Sequence, residues 1–181
     1  MKTLTLLRHA KSGWDDPVAR DFDRPLNRKG RKAARVIGSE MRAQGLEFDR
    51  VVASPATRVV ETLADLARGY GRDIEPEYDE RVYLASPAVL LELIRETDDE
   101  TDQLLLVGHN PGLEALAMLL TRDDGNGLRG RISTKYPTGT LAEISFAVDH
   151  WNEVGKGTGT VTRFIRPRDL DPELGPDQEG H

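Results

Sequence analysis

Three times along this chain a Ser-Pro or Asn-Pro pair opens a stretch of apolar residues at helical spacing. Ser54-Pro55 precedes Val59, Leu63, Leu66 and Ala67; Ser86-Pro87 precedes Leu90, Leu91, Leu93 and Ile94; Asn110-Pro111 precedes Leu113, Leu116, Ala117 and Leu120. A polar cap followed by proline at the first helical position is a start signal: the cap accepts a free backbone N–H, and proline has none to leave unpaired. A fourth such segment follows Asn27, with Gly30, Ala33, Ala34, Ile37 and Met41 on one face and Gly45 as its stop. Short apolar runs lie between: Leu4 to Leu7, Val51 to Ala53, a short third one seeded by Ile74, and Leu104 to Val107. The last reads LLLV without a break, as in a strand covered on both faces. Strands alternating with helices predict an α/β fold with a largely parallel sheet covered on both sides. Leu141 to Val148 and Thr160 to Ile165 are rich in β-branched and aromatic residues with no clear helix between them, so that edge is expected to be antiparallel and the sheet mixed.

With 181 residues the chain suits one compact domain, burying roughly 70% of its unfolded surface. Residues 1–166 form the expected domain. Residues 167–181 hold three prolines, one arginine and five acidic residues, with only Leu170 and Leu174 to bury. This acidic segment reads as an extended or disordered tail, with docking through the two leucines as the alternative. There is no cysteine, which excludes disulfides and a thiolate nucleophile. A net charge of −6 argues against a nucleic-acid partner. No apolar run is long enough to span a bilayer, and Arg8, His9 and Lys11 interrupt the first leucines too early for a secretory leader. The expectation is a cytoplasmic protein with no membrane partner; the sequence leaves its oligomeric state open.

Reactive side chains gather at three strand-to-helix junctions: Leu7-Arg8-His9-Ala10, Ser54-Pro55-Ala56-Thr57-Arg58 and Gly108-His109-Asn110-Pro111-Gly112. In a parallel sheet the carboxyl ends of the strands share one edge, where ligands bind. Arg8, His9, Arg58 and His109 can therefore converge there. Arginine forks match phosphate oxygens, a neutral histidine can attack phosphorus, and a second can stabilise the charged transition state. No metal-ligand spacing is present, so no metal or other cofactor is expected and side chains supply the positive charge. His150 and His181 fall outside the pattern. Ser54 reads as a helix cap, and Glu61, three residues after Arg58, as half of a surface ion pair. Lys11 and Ser12 lie beside the expected pocket as candidate substrate contacts, and Trp14 reads as a partly buried anchor. Gly155-Lys156-Gly157-Thr158-Gly159 lacks the residues of a phosphate loop and reads as a turn.

These junctions, with Glu61-Thr62 after the second, resemble the signature set of the histidine phosphatase superfamily, the phosphoglycerate-mutase-like group. The Arg-His-Ala-Lys-Ser start and the stretch Asp21-Phe22-Asp23-Arg24-Pro25-Leu26 followed by Gly30 are most similar to SixA-type phosphohistidine phosphatases. The resemblance runs from about Thr3 to about Ile165. It implies a three-layer α/β/α sandwich with the site at the strand ends. It implies His9 as the nucleophile that becomes phosphorylated, Arg8 and Arg58 as holders of the phosphoryl oxygens, and His109 completing the pocket. Ala10 stands where many relatives have glycine. Mutase-like relatives use a carboxylate acid, and the candidate here is Glu80, which otherwise reads as a surface carboxylate. SixA-type proteins have no obvious equivalent; imidazole leaves phosphorus more easily than an alkoxide and needs less protonation.

The implied activity is a metal-independent phosphatase acting through a phosphohistidine intermediate, with protein phosphohistidine as the leading substrate. The alternatives are a phosphatase for small phosphate esters with Glu80 as acid, and a phosphate-recognition module without turnover.

Overall fold

The computed structural model describes residues 1–13 and 20–175. Trp14, His181 and the end of the acidic segment lie outside the described residues. In chain order the elements are β1 (Lys2–Arg8), α1 (Arg28–Ala43), β2 (Arg50–Ala53), α2 (Thr57–Tyr70), β3 (Glu77–Tyr78), α3 (Pro87–Arg95), β4 (Gln103–Gly108), α4 (Gly112–Leu120), α5 (Leu128–Thr134), β5 (Leu141–Phe146), β6 (Gly159–Ile165) and α6 (Pro167–Leu170). One sheet runs β3-β2-β4-β1-β5-β6. The first four strands are parallel, while β5 and β6 run antiparallel to their neighbours. The expected mixed sheet is present, with its antiparallel edge where no helix separates the strands.

Alternation along the strands builds the three layers. Leu104 and Leu106 of β4 point into one core with Leu113, Leu116 and Leu120 of α4 and Leu90 and Ile94 of α3. Leu105 and Val107 point the other way, to Ile37 and Met41 of α1 and Val59, Leu63 and Leu66 of α2. Successive residues of a strand face opposite sides, so an unbroken apolar run needs a helical layer on each. Each leucine buried this way contributes on the order of 2 kcal/mol of apolar transfer.

Two of the expected helix starts shift. Ser86 caps α3 through the Val89 N–H and Asn27 caps α1 through Gly30, as expected. The second helix begins at Thr57, with Ala56 at its cap, because Ser54 is turned elsewhere. The fourth begins at Gly112 after a cis Asn110–Pro111 bond; Asn110 still accepts the Glu114 N–H. The short third strand is Glu77–Tyr78 rather than the region of Ile74, which packs as a partly buried residue against the second core. Helix α5 was not expected: between Leu128 and Thr134 only Leu128 and Ile132 supply apolar anchors, and Gly130 sits between them.

The acidic segment is helical at Pro167–Leu170, and Leu170 packs against the second core. Lys32 of α1 pairs with Asp171 and Glu173. Docking, not an extended tail, describes residues 167–175. No helix among the described residues is long and apolar enough to cross a membrane.

Candidate active site

The parallel strands β1, β2 and β4 end side by side, and their next residues carry the site. The rings of His9 and His109 lie 5.3 Å apart, centroid to centroid. Arg58, from the first turn of α2, reaches between them: its Nε donates to His9 Nε2 at 3.4 Å, and its Nη2 lies 3.3 Å from His109 Nδ1. Both histidines and Arg58 are buried. Arg8 donates to the Tyr136 carbonyl at 3.0 Å, and its buried Nε has no partner. The four residues expected to converge do so.

Hydrogen-bond chemistry fixes both tautomers. His9 Nδ1 is 2.7 Å from the Ala10 carbonyl, which only accepts, so Nδ1 carries the proton and Nε2 keeps its lone pair. Arg58 only donates, so His109 Nδ1 is an acceptor and Nε2–H points to Ser54 Oγ at 2.8 Å. Ser54 Oγ also accepts the Ala56 N–H. Ser54 is thus a positioning residue for His109 as well as a turn former.

Burial, with the neighbouring His109, Arg58 and Arg8 charges, lowers the His9 pKa to about 3; the Ala10 carbonyl opposes this only in part. Burial and the arginines lower His109 to about 4. Both imidazoles are neutral near pH 7. Burial also lowers the Arg8 pKa, yet a guanidinium remains charged in proteins.

The backbone around His9 is braced from several sides. Gly139, at φ +71°, donates to the carbonyls of both Arg8 and His9. A side chain there would be strained by the left-handed backbone. Thr62 Oγ1 accepts the Ala10 N–H and donates to the Arg58 carbonyl, linking the His9 loop to α2. The Ala10 methyl packs with Leu26 and Ala34. Gly30 lets α1 approach the Lys11 backbone; a Cβ would collide with the Lys11 carbonyl. Glu61 is not paired with Arg58 but accepts the Leu26 N–H at 2.8 Å.

Two residues to which the sequence assigned no site role stand in the site. Asp21, in a 3-10 turn at 21–23, accepts from Arg58 twice: Nη1 to its carbonyl at 2.8 Å and Nη2 to Oδ2 at 3.0 Å. Tyr83 donates its hydroxyl to the same Oδ2 at 2.7 Å and lies edge-on to His109. Burial raises the Asp21 carboxyl, but hydrogen bonds from Tyr83, Arg24 and Arg58 outweigh it and bring the pKa down to about 2. The Asp-x-x-Arg spacing of Asp21 and Arg24 is the signal that could have pointed to it, since the pair closes on itself at 3.0 Å.

The remaining candidates fall at the margin. Ser12 accepts from Arg24 at 2.7 Å, and the Lys11 carbonyl accepts the Asn27 N–H. Glu80 is exposed in the turn at 80–82 and makes no hydrogen bond to the four central residues. Among the described residues no three His, Asp or Glu side chains gather where a metal ion could be held.

Comparison with known proteins agrees with this geometry. Residues 4–83 match the Histidine phosphatase superfamily (branch 1). An uncharacterized protein of Mycobacterium tuberculosis is 38% identical over 164 residues, covering 90% of this chain and all of the relative. A structure from Nakamurella multipartitia, provisionally described as a phosphohistidine phosphatase SixA, superposes with a TM-score of 0.79 at 27% identity, covering 92% of this chain and 96% of the other. One from Agrobacterium tumefaciens with the same provisional description gives 0.73 at 30% identity, covering 92% and 98%. Fold, convergent junctions and relatives lead to one assignment: this chain belongs to the histidine phosphatase superfamily and is of the SixA type.

Proposed function

We propose that this protein removes the phosphoryl group from phosphohistidine in proteins, by way of a phosphohistidine formed on His9. The observation that carries the reading is a pairing within the site. A neutral imidazole carries its lone pair at Nε2, and the residue before it, Arg8, keeps a buried nitrogen with no acceptor. A phosphoryl group supplies what each lacks, an electrophile for the first and oxygens for the second.

In the first step His9 Nε2 bonds to phosphorus while the substrate N–P bond breaks, its electron pair returning to the leaving ring. Arg8 and Arg58 hold the phosphoryl oxygens. A proton that the phosphoryl group brings with it is shared between one of its oxygens and His109 Nδ1, whose pKa the anion raises, with Ser54 still accepting from Nε2–H. In the second step water attacks phosphorus, the N–P pair returns to His9 Nε2, and the water protons leave with phosphate. The proton stays on His9 Nδ1, donated to the Ala10 carbonyl, throughout.

Two further points support an imidazole leaving group. The Nakamurella and Agrobacterium structures carry the provisional description of phosphohistidine phosphatases SixA. Glu80, the acid an alkyl ester would require, is exposed and unconnected to the site.

The test is a trap. The protein is mixed with a labelled phosphohistidine peptide and quenched within milliseconds in alkali and denaturant. Acid-labile, base-stable label is expected on the peptide containing His9, and none on the His9→Ala variant. Label on another residue overturns the nucleophile. Binding of the phosphopeptide without release of phosphate overturns the enzyme.

A further inference from the structure

We infer that Asp21 is a catalytic residue of this site: its carboxylate accepts a hydrogen bond from the distal ring N–H of the departing imidazole, and so selects phosphohistidine over phosphate esters. This rests on the reading of the site as a phosphohistidine phosphatase.

The geometry carries the inference. Asp21 Oδ2 is 3.0 Å from Arg58 Nη2, and that guanidinium touches both histidines. The carboxylate is therefore one residue removed from the reacting atoms. It also stands on the solvent side: the Asp21 side chain is 39% exposed, against 4% for Arg58. A histidine borne on another protein can reach the carboxylate from that side. Tyr83 fixes the carboxylate by donating to Oδ2, and the rings of Tyr83 and Phe22, 5.1 Å apart, form an aromatic wall beside it. A planar ring can pack on such a wall.

The chemistry gives the carboxylate its task. A phosphorylated imidazole leaves readily when its distal nitrogen is protonated, because it then departs as neutral imidazole. That proton is already on the substrate ring, so the step needs an acceptor to hold it and no acid to deliver one. Asp21 holds it as the Ala10 carbonyl holds the proton of His9, and phosphoryl transfer runs between two rings gripped in the same way. The N–P bond of the substrate breaks, that of His9 forms, and neither distal proton moves. An alkyl or aryl ester has no ring N–H to offer. It meets only a negative charge, and a carboxylate held ionised by Tyr83, Arg24 and Arg58 cannot protonate its leaving oxygen.

The test compares two substrates on the same preparations: a peptide phosphorylated on histidine with phosphoramidate, and p-nitrophenyl phosphate, whose leaving group needs no proton. Asp21→Asn is expected to lower the ratio of kcat/KM, phosphopeptide to aryl ester, by about 10- to 100-fold, the scale of a hydrogen bond to a charged group. Tyr83→Phe keeps the charge and releases its orientation, and is expected to lower the same ratio by about fivefold. Should Asp21→Asn fail to fold, Tyr83→Phe decides, and an unchanged ratio overturns the inference. Equal loss on both substrates makes Asp21 a prop for Arg58 and overturns it. A gain on both makes Asp21 a mere cover over the anion site and overturns it too. A wild-type protein that hydrolyses the aryl ester but no phosphohistidine overturns the substrate reading, and this inference with it. Turnover of phosphohistidine with an unaltered ratio in the variants overturns this inference alone.

Discussion

Strand β1 begins and ends on a cation, and the two ends are finished differently. At the amino end Lys2 is 3% exposed, and its ammonium donates to the carbonyls of Asp99 and Thr101 and to the Asp102 carboxylate. Three donors meet three acceptors. At the carboxyl end Arg8 gives one hydrogen bond to the Tyr136 carbonyl and keeps a buried Nε with none. Leaving such a donor unmade costs about 1–3 kcal/mol, so native structures rarely do it. Lys2 closes the fold. Arg8 is kept with a donor unmet, which under the proposed function a phosphoryl oxygen would meet.

Exchanging each cation for methionine breaks the comparison open. Arg8→Met is expected to lower kcat/KM on a phosphohistidine peptide by about 10²- to 10³-fold, the scale for removing a preorganised donor. Its thermal midpoint should hold or rise, since a charge that burial penalises is gone. Lys2→Met should do the reverse. Its midpoint falls by several degrees, reflecting about 1–3 kcal/mol for backbone carbonyls left without their donor, while steady-state turnover is retained. An Arg8→Met protein that melts early, or a Lys2→Met protein without activity, would erase the distinction.

A smaller effect sharpens it. Ser54→Ala removes the acceptor for His109 Nε2–H, and kcat is expected to drop about tenfold with KM little changed. A rise in KM alone would show that Ser54 shapes the ground-state pocket instead.

The smallest effect on activity comes with pH. The folded pKa values of His9 and His109, about 3 and about 4, lie below the ordinary 6.5. As pH falls the unfolded chain therefore takes up protons first, and stability declines from about pH 6.5 downward by up to ~1.4 kcal/mol per pH unit per histidine. Activity should barely follow. kcat/KM reports the free enzyme, so from about pH 7.5 to 5.5, corrected for substrate titration, it should change less than about threefold. A nucleophile with an ordinary histidine pKa would lose about tenfold over that span. Denaturant titrations and initial rates across this range check both.

Arg8, His9, Arg58 and His109 were legible in the sequence because each ends, directly follows or closely follows a strand of the parallel set, and strand ends share an edge. The apolar faces of α1, α3 and α4 were legible for a similar reason: their periodicity is strong and their burial complete. Asp21 was legible only as part of a resembling stretch, with no role, and Tyr83 not at all. Each sits in a short polar turn with no periodicity, and what places them is a tertiary contact with Arg58, which local pattern cannot show. Ser54 was half legible: its small polar side chain and following proline suit a turn, but nothing local reveals that its hydroxyl faces His109. The extent of β3 was missed because two residues, Glu77 and Tyr78, hydrogen-bond to β2 with no apolar run to mark them.

The bond from His9 Nδ1 to the Ala10 carbonyl sets a lifetime. A protein that stores phosphate on histidine benefits when the modified ring can shed its remaining proton, because the neutral form resists hydrolysis. Here that proton is buried against an acceptor that cannot take it away. Under the proposed function, a phosphoryl group on His9 would thereby be held in its short-lived form, which suits a sink for phosphoryl groups and not a relay that hands them on.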